Sequence, residues 1–147
     1  MTFDGKYLWN CDTGPDLIYQ IDPVTGAVLR SFASPDAYPV GLAFDGKYLW
    51  HSDAILSLIY QIDPVTGAVL RSFAAPGEYI RGLTWDGKYL WHCNPVADLI
   101  YQIDPVTGAV LRSFAAPGGE SFELAFDGKY LWHSDPVADL IYQIAVA

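Results

Sequence analysis

The stretch Phe44-Asp45-Gly46-Lys47-Tyr48-Leu49-Trp50 recurs at residues 3 and 126, and at 85 with Trp85 in place of the leading phenylalanine. Its aspartates, Asp4, Asp45, Asp86 and Asp127, stand 41 residues apart. Two further blocks keep the same beat. Leu-Ile-Tyr-Gln-Ile begins at 17, 58, 99 and 140, and Asp-Pro-Val-Thr-Gly-Ala-Val-Leu-Arg-Ser-Phe begins at 22, 63 and 104. A fixed period of this size identifies an array in which one supersecondary unit stacks on its neighbours. The repeats run over 1–41, 42–82, 83–123 and 124–147, the last lacking the third block, and together they make one domain.

Repeat two shows the unit. Gly41 to Phe44, Lys47 to Asp53, Leu58 to Asp63 and Ala68 to Phe73 are short, rich in β-branched or aromatic residues, and bounded by turn residues. Asp45-Gly46 reads as a two-residue turn of the primed type, whose twist suits antiparallel strands. In Asp63-Pro64-Val65-Thr66-Gly67, proline presets φ and glycine supplies a left-handed position, so this is a longer hairpin loop. No segment keeps a 3.6-residue apolar period, so no helix is expected. Four antiparallel strands, a to d from the axis outward, form one blade of an all-β propeller. In Tyr48-Leu49-Trp50-His51, alternation puts Tyr48 and Trp50 on one sheet face and Leu49 and His51 on the other. Both faces are covered by neighbouring blades, so the aromatics are expected to be core.

The run Gly-Leu-Ala-Phe-Asp-Gly-Lys-Tyr-Leu-Trp, followed by Ile-Tyr-Gln-Ile-Asp-Pro-Val-Thr-Gly, resembles the NHL, YVTN and glutaminyl-cyclase-like families of β-propeller repeats. The likeness covers the whole chain, whereas the Gly-His pair and closing Trp-Asp of a WD repeat are missing. It implies the propeller fold. These families include binding platforms, lyases, lactonases and cyclotransferases, and no set of residues here matches a catalytic constellation among them.

Composition narrows the classes further. Apolar residues make up 52% and aromatics 15%, enough for a sizeable core and too much for a disordered chain. No apolar run approaches the roughly 20 residues that span a bilayer, and no leader is seen before Phe3, so a cytoplasmic or recombinant soluble chain is expected, without a membrane partner. A net charge of −9 argues against nucleic acid and favours neutral or cationic ligands.

The chain begins within strand a and ends soon after strand c, giving about four blades with the last lacking its outer strand. Bulky tyrosine and tryptophan between blades favour a shallow wedge, and closed point groups dominate oligomers. The expectation is a half-ring protomer that homodimerises into one eight-bladed ring through a large apolar interface. The strand Leu140 to Ile144 is then an uncovered edge.

The internal copies differ mainly in the b–c loops and d–a connections, which a four-strand meander brings to one face. Loops on a rigid scaffold carry function. Tyr38 and Tyr79 are the expected anchors, with Asp36, Glu78, Arg81, Glu120 and Glu123 around them. His51, His92 and His133, with Asn10 as the fourth equivalent, end strand b near the same face and complete the candidate ligand-binding set. Same-register histidines stand too far apart to share an ion bound at about 2 Å, so no metal and no cofactor are expected. Asp12, Asp53 and Asp135 read as caps of their own turns. Cys11 and Cys93 read as small, reduced, buried side chains, and Arg30, Arg71 and Arg112 as a solvated face. Two readings stay open. One is a non-catalytic binding or scaffold protein, engineered or recently amplified, that self-assembles and takes any small-molecule ligand on the loop face. The other is an enzyme of the lyase or cyclotransferase type using the His/Asn ring.

Overall fold

Each 41-residue unit folds as a meander because its apolar strands are joined by turns too short for anything but antiparallel neighbours. A computed structural model describes residues 1–146. Blade one comprises β1 (Thr2–Phe3), β2 (Leu8–Asp12), β3 (Leu17–Ile21) and β4 (Val28–Ala33). Blade two comprises β5 (Pro39–Phe44), β6 (Leu49–Asp53), β7 (Leu58–Ile62) and β8 (Val69–Ala74). Blade three comprises β9 (Leu83–Trp85), β10 (Leu90–Asn94), β11 (Leu99–Ile103) and β12 (Val110–Ala115). Among the described residues blade four has β13 (Glu123–Phe126), β14 (Tyr130–Asp135) and β15 (Leu140–Ala145). Within every sheet the strands lie in chain order. The inner strands of all four blades converge on one channel of about 320 Å³. The fold is an all-β propeller of four blades, and no helix long and apolar enough to cross a membrane occurs among the described residues.

The turns follow their residues, with one displacement. Asp45 and Tyr48 close the a–b turn through Asp45 N–H to Tyr48 O at 3.1 Å, so the central pair is Gly46-Lys47 rather than Asp45-Gly46. Only the glycine takes positive φ, +98°. Asp45 stays outside the turn because its carboxylate accepts the N–H groups of Lys47 and Tyr48. In the c–d loop, Gly67 sits at φ +75° and donates to Asp63 O, as its sequence implies.

Each blade presents two unlike faces. The forward face carries the tryptophan of strand b, an isoleucine of strand c and the phenylalanine of strand d. The backward face of the next blade answers with leucine, tyrosine and isoleucine. Trp50 and Ile59 thus pack against Leu83, Leu90 and Ile103, and Trp91 and Ile100 against Leu124 and Leu131. At the seam between blades four and one this code is left open. Trp9, Trp50 and Trp91 are buried, but Trp132 is only half-buried. Leu8 is half-buried where Leu49, Leu90 and Leu131 are fully enclosed.

Arg30 and Arg71 are not a solvated face, whereas Arg112 is exposed. Arg30 donates from Nε to Gln20 Oε1 at 3.1 Å, from Nη1 to Val65 O at 2.7 Å, and from Nη2 to Pro64 O. Its guanidinium also lies over the Trp9 ring. Arg71 repeats the arrangement onto Pro105 O and Val106 O. These side chains clamp the outer strand of one blade to the c–d loop of the next. Arg112, facing the incomplete blade, keeps its bond to Gln102 and its place over Trp91, but among the described residues it reaches across only to Val146 O.

Arg71→Ala should lower the free energy of unfolding by about 2 kcal/mol, since charge-assisted hydrogen bonds contribute roughly 1.5–3 kcal/mol. Arg71→Lys should recover less than half, because an ammonium cannot fork between two carbonyls. Arg112→Ala should cost less than Arg71→Ala in the same urea melts.

Candidate functional site

The variable segments do meet on one face, and backbone bonds lock them together. Ser57 O accepts Ala75 N–H, Tyr38 O accepts Ala54 N–H, and Asp98 O accepts Ala116 N–H. Each b–c loop is therefore tied to a d–a connection. Within the loops an Asx cap sets the turn. Asp53 Oδ1 accepts Ile55 N–H at 2.8 Å and Leu56 N–H at 2.6 Å, and Asn94 and Asp135 cap their loops in the same way. Asp12 accepts only Gly14 N–H.

Blade two carries the most developed surface. A groove of about 430 Å³ lies between its two loops, lined by Ile55, Leu56, Ser57, Gly77, Glu78 and Tyr79. Ile55, Leu56 and Tyr79 are about half exposed, at 56%, 49% and 59%. Tyr79 takes φ +54°, a left-handed conformation uncommon for an aromatic residue. Tyr38, at φ +64°, occupies the matching place after blade one, its N–H held by Asp16 Oδ1 at 3.2 Å. Beside it the carboxylates of Asp16 and Asp36 face Asp53. Burial, then repulsion from Asp36 and Asp16, raise the Asp53 carboxyl against the opposing bonds from Leu56 and Ile55, and its Oδ2 has no partner. Asp135, its equivalent in blade four, is lowered instead, because Ala138, Gly119, Val137 and Glu120 N–H groups all reach it. One repeat position thus differs between blades by what the d–a connection presents to it, N–H groups at Asp135 and the Asp36 carboxylate at Asp53.

The remaining candidates divide among other places. Glu120 lies beside Asp135 in the last connection. Arg81 stacks over Phe122 at 4.3 Å. Asn10, His133 and Glu123 line an open cleft of about 640 Å³ between blades one and four. Glu123 keeps solvent contact there, and its carboxyl is raised by the surrounding protein against the pull of the Met1 ammonium and Arg81. His51 and His92 are fully buried between blades. His51 Nε2 meets Ser34 Oγ at 3.2 Å, and His133 Nε2 meets Pro117 O at 3.1 Å, both on the preceding d–a connection. Each imidazole stacks on the tyrosine of its own strand c, at 5.0–5.8 Å. Among the described residues no three His, Cys, Asp or Glu side chains come together as a metal site.

Both cysteines are free. Cys93 is fully buried and its thiol is pushed up to about 12 by desolvation. Cys11 is only half-buried, although it packs against the Trp9, Ile18 and Leu49 cluster of the filled seam between blades one and two. Ile55 and Leu56 were not singled out by sequence pattern, although Ala54-Ile55-Leu56 replaces the Pro-Val-Ala of repeats three and four. That substitution was the available signal.

Comparison places the chain among β-propellers. It aligns over 98% of its length with 63% of Myxococcus xanthus glutaminyl cyclase, at TM-score 0.84 and 13% identity. Staphylococcus aureus virginiamycin B lyase aligns at TM-score 0.66 and 19% identity over 95% of this chain and 52% of that one. The WD40 propeller domain of Doa1 gives TM-score 0.71 and 13% identity, with 95% and 46% covered. The chain spans about half to two thirds of these proteins. No family profile and no curated protein sequence matches it. Two of these proteins are named as enzymes and one as a WD40 domain, so the likeness defines the fold.

Burial holds His51 and His92 at about 4, below their usual 6.5. The unfolded chain therefore takes up protons first as pH falls, and stability should decline between pH 6.5 and about 4, by up to about 3 kcal/mol per imidazole. Asp53 and Glu123, being raised, act with the opposite sign at the acidic end of this window. Urea melts at pH 7 and 5 check the slope, and His51→Gln with His92→Gln should flatten it.

Proposed function

We propose that this protein is a non-catalytic binding or scaffold propeller that takes its ligand on the loop face and completes its ring with a second copy of itself. The observation that carries the binding half is the blade-two groove, where exposed Ile55, Leu56 and Tyr79 surround Glu78. Exposed apolar side chains around a single carboxylate suit an amphipathic cation, and the neighbouring Asp16, Asp36 and Asp53 add negative potential. The enzymatic reading is less well supported. His51 and His92 are sealed between blades, where no substrate atom can reach a ring nitrogen without the blades parting.

The self-assembly half rests on repetition. Blade four's forward face and blade one's backward face carry the residues that meet at the three filled seams, and both are unfilled. Phe3 is 53% exposed and Ile141 is 72% exposed, whereas Ile18, Ile59 and Ile100 are 0% exposed. Each copy offers the surface that the other needs, which is the condition for a closed two-fold assembly.

Light scattering should give a mass near twice 16.2 kDa, reduced to one chain by Phe3→Lys. A parent protein that stays monomeric at micromolar concentration overturns the assembly. Thermal-shift screening of amphipathic amines should find ligands whose stabilisation is lost in Tyr79→Ala and Glu78→Gln. Stabilisation that survives both, and disappears on altering Lys47 or Lys88, would place binding on the opposite face.

A further inference from the structure

Strands c and d pair identically in three blades. Leu17↔Ala33, Ile18↔Phe32, Tyr19↔Ser31 and Gln20↔Arg30 recur as Leu58↔Ala74 through Gln61↔Arg71 and as Leu99↔Ala115 through Gln102↔Arg112. β15 has the same sequence, Leu140-Ile141-Tyr142-Gln143-Ile144, but among the described residues it pairs only with β14. Among the described residues its outer edge is unpaired, in a register that the other three blades define. We propose that the β15 edge binds, in trans, an extended segment of a partner polypeptide with the chemistry of the repeat's own outer strand: β-branched, arginine and phenylalanine side chains in the order Val-Leu-Arg-Ser-Phe.

Four groups already stand where such a strand would need them. Ile141, 72% exposed, is the cross-strand neighbour of the missing phenylalanine. The ring of that phenylalanine would cover Trp132, as Phe32, Phe73 and Phe114 lie 6.0–6.1 Å from the tryptophans of their blades. Gln143 is exposed, and its counterparts Gln20, Gln61 and Gln102 each accept an arginine Nε–H at 3.0–3.1 Å. On blade three, Phe114 is prepared for a glycine. At the filled seams Gly67 and Gly108 lie so close to Phe32 and Phe73 that a β-carbon would come within 2.8 Å of the ring. The edge supplies main-chain affinity and these positions supply selectivity, which is how strand addition discriminates. Apolar exposure alone would not name an occupant; three filled copies in the same molecule do.

The test uses the full chain and a fluorescent nonapeptide with the sequence of residues 107–115, Thr-Gly-Ala-Val-Leu-Arg-Ser-Phe-Ala. Anisotropy should show saturable binding of one peptide per chain, and peptides with Phe→Ala or Arg→Ala should bind roughly tenfold more weakly, a difference of about 1.4 kcal/mol. On the protein, Gln143→Ala should weaken only the arginine-bearing peptides, and Ile141→Glu should abolish binding. Circular dichroism and melting of both variants establish that they are folded. Absence of binding at millimolar peptide, equal binding of a scrambled nonapeptide, or binding unchanged in folded Ile141→Glu would each overturn the proposal.

Discussion

The bond between an aspartate at the a–b turn and the tryptophan five residues later fixes the geometry of every blade. Asp4 Oδ2 accepts Trp9 Nε1–H at 2.8 Å, and Asp45, Asp86 and Asp127 hold Trp50, Trp91 and Trp132 at 2.6–2.7 Å. The other carboxylate oxygen takes two backbone N–H groups of the same turn. One side chain therefore shapes the hairpin and aims the indole onto the forward face. Burial opposes ionisation of Asp4, but the bonds from Tyr7, Trp9 and Lys6 prevail and keep its carboxyl low. With the indole fixed, the arginine of strand d can lie over it and still reach the next blade's carbonyls. Turn, core and inter-blade clamp are thus coupled through one carboxylate. Leaving the buried indole N–H of Trp9, Trp50 or Trp91 without its partner is costly, which is why the pair recurs unchanged.

Much of this was legible in the sequence, for reasons of period and turn chemistry. The 41-residue beat gave blade number, and alternation gave strand order and faces. The c–d loop followed from Pro64 and Gly67. What sequence could not convey was the destination of long polar side chains. Arg71 sits on an outer strand among exposed neighbours, and nothing local reveals that carbonyls 34 and 35 residues downstream await it. The a–b turn slipped by one residue for a related reason, since Asp45 spends its side chain on its own backbone and leaves Gly46-Lys47 at the centre. The loop face was foreseeable as a region, because internal divergence marks where geometry is released. Its division into a blade-two groove, an acidic cluster and separate polar positions was not, since that depends on how each d–a connection packs over the next blade.

The strand-b position keeps one role in blades two to four and changes in blade one. His51, His92 and His133 are buried spacers stacked on tyrosine, although one side of His133 also lines the open cleft, while Asn10 borders that cleft without a ring to stack. A repeated residue type does not imply a repeated environment when the array has two ends. Blade one lacks a predecessor and blade four a successor among the described residues, so chemistry common to all four repeats is modified at both ends.

Interchangeable registers also bear on how the chain finds its structure. Any strand c can in principle pair with any strand d, because the partners are identical in sequence. Loop length breaks the tie. Six residues, 22–27, separate β3 from β4, whereas 47, residues 22–68, separate it from β8. Closing the longer loop costs about 2 kcal/mol more in chain entropy, which favours the local hairpin by more than tenfold. Correct assembly thus relies on kinetic proximity where sequence offers no discrimination. β15 has no such local competitor among the described residues, so pairing fidelity is lowest at that end of the array.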